Sequence, residues 1–107
     1  MQRVAFRLQL KIETLPAYIE AHEGVWPEML AALSRHGWQN YSIFLDETDG
    51  TLFGYFETPS LDLALAGMAN EEVNARWQAT MAPYFESLGE MRPDEGLLVL
   101  RNVFFLA

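Results

Sequence analysis

The feature that most constrains the fold is a strict alternation of apolar and polar residues over Arg3–Lys11. A two-residue period places successive side chains on opposite faces of an extended chain, so it predicts a half-buried strand. The predicted buried face carries Val4, Phe6, Leu8 and Leu10, and the other face carries Arg3, Ala5, Arg7, Gln9 and Lys11. The elements that follow must therefore supply the cover for one face of a sheet.

A long helical stretch follows this strand. The periodicity predicts a helix from about Leu15 to His36, with Thr14 as its N-cap and Gly37 just past its C-terminus. Pro27 lacks a backbone N–H and disfavours helical geometry at the residue before it. We therefore expect the helix to be interrupted near Trp26 and Pro27.

A hairpin is predicted in the middle of the chain. Two strands, Trp38–Leu45 and Thr51–Thr58, flank the turn Asp46–Gly50, and an Asp-Gly pair is a strong hairpin signal. Gly54, in the middle of the second strand, has no side chain to pack. It marks a bulge, the close approach of another group, or a tolerated weak point.

The second half of the chain is predicted to contain two helices, a loop and a final strand. In order, these are Leu61–Ala69, a helix from Asn70 to the residue before Pro83, the loop Pro83–Gly96 and the strand Leu97–Leu106. Ser60 and Asn70 are the predicted N-caps. A loop of that length in a compact domain is often a lid or a partner contact.

The resulting order, β-α-β-β-α-β, is the ferredoxin-like signature of an α+β fold. Its helices cover one face of a four-stranded antiparallel sheet and leave the other face open. Several strands carry apolar side chains on both faces, and an exposed apolar sheet face is a liability in a monomer. Burial of this face against a second copy predicts a two-fold homodimer.

Composition narrows the class of protein further. The 107 residues predict a single domain, 1–107, and the chain contains no cysteine, which excludes disulfides and thiolate metal sites and suits the cytoplasm. A net charge of −8 with seven scattered Lys and Arg residues argues against nucleic acid and anionic membranes as partners. The start of the chain has no signal-peptide pattern, and no apolar run is long enough for a membrane span. A neutral small molecule is the expected ligand.

The candidate site lies in the first helix. Tyr18 and His22 are four residues apart and lie on one helical face, with Trp26 a further turn along. The same face is predicted to carry Leu15, Ile19, Val25 and Met29. A titratable ring beside a phenol, next to a backbone irregularity, is where a small-molecule site can be built. The alternative interpretation is a core histidine packed between aromatic residues.

Other chemistries find little support. A zinc helix motif needs a second histidine four residues after His22, where Trp26 stands instead, and the other histidine, His36, is fourteen residues away. No serine has a nucleophile-elbow context, and no glycine-rich stretch has phosphate-loop spacing. Glu28, as a partner for a histidine ring, and Asp46 are secondary candidates. His36 is explained most simply by a helix C-terminus.

The chain resembles the L-rhamnose mutarotase family, small proteins that interconvert the anomers of a free sugar. The matching features, which keep the family's order over the whole chain, are Tyr18, His22, Trp26-Pro27-Glu28, His36-Gly37, Asn40-Tyr41, Leu45-Asp46 and Arg76-Trp77. The resemblance implies a dimeric α/β barrel without a cofactor, with His22 as the proton-transfer residue. It also implies that Tyr18, Tyr41 and the Trp77 region contact the sugar.

One departure from the family bears on specificity. The family pattern often has two adjacent tryptophans at the sugar site, whereas here Trp77 is followed by Gln78. Helical spacing puts Trp77 on a stripe with Val73 and Met81 and puts Gln78 at the edge of that stripe, where its amide is a candidate for a sugar hydroxyl. Two other functions are compatible with the fold: a cofactor-independent monooxygenase and a metabolite-binding module without catalysis.

Overall fold

The computed structural model describes residues 1–86 and 91–107, and within them the predicted element order is confirmed. The elements are β1 (Gln2–Gln9), α1 (Leu15–Glu23), α2 (Pro27–Arg35), β2 (Gln39–Asp46), β3 (Thr51–Thr58), α3 (Leu61–Ala69), α4 (Glu72–Met81) and β4 (Leu98–Leu100). Short 3-10 turns at Ile12–Thr14 and Ala82–Tyr84 precede α1 and follow α4. The strands form one antiparallel sheet in the order β2-β3-β1-β4, which is the predicted ferredoxin-like arrangement.

The central strands β1 and β3 pair along their full length, from Gln2 opposite Thr58 to Gln9 opposite Thr51. Gly54 lies opposite Phe6, and the Phe6 ring occupies the space that a Cβ at position 54 would need. Of the three interpretations of this glycine, close approach of another group is therefore confirmed.

The core lies between the inner face of the sheet and the helices. Val4 and Phe6 of β1 and Leu10, the residue after it, are buried there, as the alternation predicts. Trp38 stacks on Phe56 with 3.9 Å between ring centroids, and its Nε1 donates a hydrogen bond to the carbonyl of Ala64 in α3. The helices contribute Leu15, Tyr18, Met29, Ala32, Ala64, Met68, Val73, Trp77 and Met81.

The helix after β1 is broken where it was predicted to be. α1 ends at Glu23 and α2 begins at Pro27, and Trp26 between them has extended geometry, with φ −58° and ψ 132°. Thr14 lies at the N-cap position of α1 without capping it. Its Oγ1 instead lies 2.7 and 3.0 Å from the carbonyl oxygens of Lys11 and Tyr84, which share its one hydrogen.

The N-cap predicted for α4, Asn70, is wrong by one residue. Asn70 ends α3, because its backbone N–H donates to Gly67 and its Nδ2 donates to the carbonyl of Ala66. Glu71 is the N-cap residue of α4, although its carboxylate does not cap the helix. A short polar side chain satisfies a helix end at either terminus, so spacing alone did not decide between them.

The final strand is also shorter than predicted. β4 pairs with β1 only over three residues, from Ala5 opposite Leu100 to Arg7 opposite Leu98. The side chain of Asn102 accepts a hydrogen bond from the N–H of Phe104, an Asx turn that takes the backbone out of the ladder. Apolar composition predicts strand at 101–106, but this turn ends it.

Candidate active site

A cavity of about 770 Å³ lies between the inner face of the sheet and the helices. The residues predicted to form the site all line this cavity: Tyr18, His22, Tyr41, Trp77 and Gln78. They come from α1, β2 and α4, elements that are far apart in sequence. The fold therefore brings together three groups of side chains that no local pattern connects with one another.

His22 lies in the last turn of α1, immediately before the helix break. Its Nδ1 is 3.0 Å from the backbone carbonyl of Tyr18, one turn earlier. Because a carbonyl oxygen only accepts, Nδ1 carries the proton in this hydrogen bond, and Nε2 of the neutral ring is left with a lone pair. His22 is one of the residues that line the cavity, so its neutral ring offers a basic nitrogen there.

The surroundings of His22 keep it neutral. Its ring is 4.2 Å from the ring of Tyr18 and 5.4 Å from that of Trp77, measured between centroids. Burial lowers the pKa of His22 from its ordinary value, and the hydrogen bond to the Tyr18 carbonyl opposes part of that shift. A lowered pKa favours the form that accepts a proton.

The two tyrosines of the cavity remain protonated. Burial raises the pKa of Tyr18, and burial also raises the pKa of Tyr41, with further contributions from Tyr18 and the carboxylate of Asp94. Each phenol is therefore a neutral hydroxyl that both donates and accepts a hydrogen bond.

Contrary to the prediction, Ile19 does not share the inner face of α1 with Tyr18. It is 40% exposed, because it lies about 100° around the helix from Tyr18.

Trp77 forms one wall of the cavity and is buried together with Val73 and Met81, as the stripe predicts. Its ring meets Trp26 at 5.0 Å and 87°. Gln78, predicted at the edge of the stripe, is also buried, with only 9% of its surface exposed. The backbone N–H of Asp94 donates to its Oε1, a contact with a distant segment that the helical stripe could not reveal.

The secondary candidates lie elsewhere. Glu28 is exposed and pairs with Arg76 at 3.2 Å, so it does not hold a histidine ring. His36 instead contacts Glu71, with 2.8 Å between Nε2 and the carboxylate, outside the cavity lining. Asp46 accepts hydrogen bonds from the backbone N–H and the hydroxyl of Thr48 in the hairpin turn, and these lower its pKa.

Sequence reasoning missed three polar side chains in the lining, Asn74, Arg92 and Asp94. Together with the predicted Gln78 they form a cluster that is here called the polar wall. Nε2 of Gln78 donates to Oδ1 of Asn74 at 3.0 Å, and Oε1 of Gln78 accepts from the backbone N–H of Asp94 at 3.1 Å. Arg92 and Asn74 both donate to the carboxylate of Asp94. Part of the predicted loop Pro83–Gly96 thus lines the cavity, while its residues 87–90 lie outside the described part of the chain.

Residues 1–86 and 91–107 contain no cluster of three or more His, Cys, Asp or Glu side chains arranged to hold a metal ion. None of their helices combines the length and the apolar character needed to cross a bilayer.

The fold and the cavity together define a ferredoxin-like α+β protein with a neutral histidine facing a cavity walled by aromatic and polar side chains. A sequence model of the family described as L-rhamnose mutarotase matches residues 3–106. The L-rhamnose mutarotase of Listeria monocytogenes (strain F2365) is 41% identical over 100% of both chains, and that of Bacillus subtilis (strain 168) is 37% identical over 99% of both. This chain belongs to the L-rhamnose mutarotase family.

Solved structures agree. The crystal structure of an L-rhamnose mutarotase from Formosa agariphila is similar with a TM-score of 0.81 and 30% identity, and the match covers 100% of each chain. An antibiotic biosynthesis monooxygenase has a TM-score of 0.63 at 15% identity, covering 96% of this chain and 99% of that one. At this identity the second likeness shows the shared fold alone, so the monooxygenase alternative is not favoured.

Proposed function

We propose that the protein is an isomerase that interconverts the α and β anomers of L-rhamnose. The observation that carries this proposal is the neutral His22 at the cavity, with Nδ1 bonded to the Tyr18 carbonyl and Nε2 left basic. Family membership supports the sugar as substrate. A cavity lined by aromatic side chains and by side chains that donate and accept hydrogen bonds also suits a neutral sugar.

The proposed reaction is proton transfer at the anomeric centre. Nε2 of His22 takes the proton of the anomeric hydroxyl while the bond between C1 and the ring oxygen breaks, and the ring oxygen takes a proton from the phenol of Tyr18 or Tyr41. The open-chain aldehyde rotates about its C1–C2 bond, and the reverse transfers close the ring on the other face of the carbonyl. One well-placed acid–base group typically contributes about 10²–10⁴-fold to a rate, which suits a reaction that is already fairly easy in water.

The remaining predicted site residues are proposed to hold the sugar. The phenols of Tyr18 and Tyr41 offer hydroxyls at the cavity, and either can also protonate the ring oxygen. The ring of Trp77 can pack against the apolar C–H face or the methyl group of the sugar. Gln78 keeps one amide N–H and one lone pair beyond its bonds to Asn74 and Asp94, and these can reach a hydroxyl. The proposed chemistry requires no cofactor.

We further propose that the protein acts as a homodimer in the cytoplasm. The sheet face away from the helices carries a cross-strand row in which Phe44 lies opposite Phe53, Phe53 opposite Arg7, and Arg7 opposite Leu98. The apolar members of this row are exposed, Phe44 at 65%. A second copy covers such a face in a closed two-fold interface. A chain without cysteine suits a reducing compartment.

The activity is tested by two-dimensional exchange NMR on L-rhamnose at equilibrium. The wild-type protein should increase the rate of exchange between the two anomeric protons in proportion to its concentration. A change in tryptophan fluorescence without faster exchange would point to a binding module. Oxygen consumption with a small aromatic substrate would point to a monooxygenase.

A further inference from the structure

The carboxylate of Asp94 has one hydrogen-bonding position left over. A carboxylate accepts about four hydrogen bonds, two at each oxygen. Oδ2 accepts from Nδ2 of Asn74 at 2.9 Å and from Nη2 of Arg92 at 2.7 Å, so both of its positions are occupied. Oδ1 accepts from Nε of Arg92 at 3.0 Å, which leaves it one position among the bonds of the described residues.

The position of this carboxylate is fixed from two directions. The backbone N–H of Asp94 donates to Gln78, and Gln78 in turn donates to Asn74. Nδ2 of Asn74 donates to the carbonyl of Met68 as well as to Asp94, so the carboxylate is linked to both α3 and α4. An acceptor held this way does not have to be ordered when a ligand arrives.

The carboxylate also lies on the same cavity as the reacting groups. Asp94 and Arg92 line the cavity together with His22 and Tyr41. The carboxylate also contributes to the raised pKa of the Tyr41 phenol. A neutral polyhydroxylated ligand in this one cavity therefore has both Tyr41 and Asp94 among the side chains that surround it.

From this geometry, and resting on the proposed function, we propose that Asp94 is a specificity-determining residue. Its Oδ1 accepts a hydrogen bond from the C2, C3 or C4 hydroxyl of the sugar, while Asn74 and Arg92 are positioning residues that act through it. A site built to bond a hydroxyl rejects the analogue that lacks it, because the acceptor is then left without a partner. The polar wall would thus select sugars by one hydroxyl.

The test is a thermodynamic cycle in which one change is made in the protein and the other in the sugar. Anomeric exchange is measured for the wild-type protein and Asp94→Ala on L-rhamnose and on its 2-deoxy, 3-deoxy and 4-deoxy analogues. The KM for L-rhamnose should rise on the order of tenfold to a hundredfold in the variant, as for loss of a hydrogen bond to a charged group. For one deoxy sugar the variant and the wild type should have the same KM, because that sugar lacks the bonded hydroxyl.

Matched variants separate this role from a structural one. Asp62→Ala removes an exposed aspartate in the first turn of α3 and should leave every KM unchanged. Asp94→Asn keeps the shape of the side chain. It replaces Asp94→Ala in the test if circular dichroism shows that Asp94→Ala is unfolded. A merely structural Asp94 would lower activity by one common factor on all four sugars.

The outcomes also separate this inference from the proposed function. Equal losses on all four sugars, or an unchanged KM in a folded variant, would overturn the role of Asp94 while exchange by the wild type stands. No exchange of L-rhamnose by the wild type would contradict the proposed function, and with it this inference.

Discussion

At the scale of single residues, burial shifts the pKa values of two side chains in the site in opposite directions. Burial lowers the pKa of His22 and raises the pKa of Tyr18, because in each case it disfavours the charged form. A neutral base and a neutral donor therefore coexist at neutral pH, 4.2 Å apart between ring centroids. This is the pairing that proton transfer to and from a neutral sugar requires.

The lowered pKa of His22 predicts the acid side of the pH profile. His22 accepts a proton only while it is neutral, and its pKa lies below 6.5. The kcat/KM for anomeric exchange should therefore hold constant near neutral pH and fall at acid pH with a midpoint below 6.5. The pH dependence of exchange NMR measures this, and a midpoint above 6.5 would contradict the account.

Replacement of Gln78 is predicted to lower the stability of the fold. Helical spacing puts Gln78 only at the edge of the apolar stripe, but its side chain is buried and bonds to Asn74 and Asp94. Gln78→Ala should lower the free energy of unfolding by about 1–3 kcal/mol, because both partners lose a hydrogen bond. Urea unfolding measures the change. Gln39→Ala, at an exposed glutamine, is the control and should change the free energy of unfolding by less than about 0.5 kcal/mol.

At the scale of elements, the fold could be predicted where the signal is local. The alternation of β1, the Asp-Gly turn and the proline break each depend on neighbouring residues, and each is confirmed. The end of β4 depends on an Asx turn at Asn102. The polar wall joins α4 to the 92–96 turn, so no local pattern contains it.

The pairing of β1 with β3 predicts the effect of adding one methyl group. In Gly54→Ala the new Cβ would collide with the Phe6 ring, so stability should fall by about 1–3 kcal/mol. Gly24→Ala is the matched control, because its Cβ would meet no atom within 4 Å. Thermal unfolding measures both variants, and equal stability of the two would refute the close packing of Phe6 on Gly54.

At the scale of the whole molecule, the open sheet face predicts association. The 12.2 kDa chain should have about twice that mass in light scattering, because an exposed apolar face of this kind favours a partner. Phe53→Asp, in the cross-strand row, should shift the mass toward that of one chain. Ile12→Asp is the control, since Ile12 is exposed in the 3-10 turn outside the sheet. A wild-type monomer at micromolar concentration would contradict the dimer.

The central claim is that His22 transfers the protons of the reaction, and the two histidines of the chain allow a matched comparison. Anomeric exchange of L-rhamnose is measured by NMR for the wild type, His22→Ala and His36→Ala, with circular dichroism to verify folding. His22→Ala should lose most of the exchange, because it removes the basic nitrogen of the cavity. His36→Ala should keep nearly all of it, because His36 contacts Glu71 outside the cavity lining. Full exchange in a folded His22→Ala protein would contradict the claim and return His22 to the role of a core histidine.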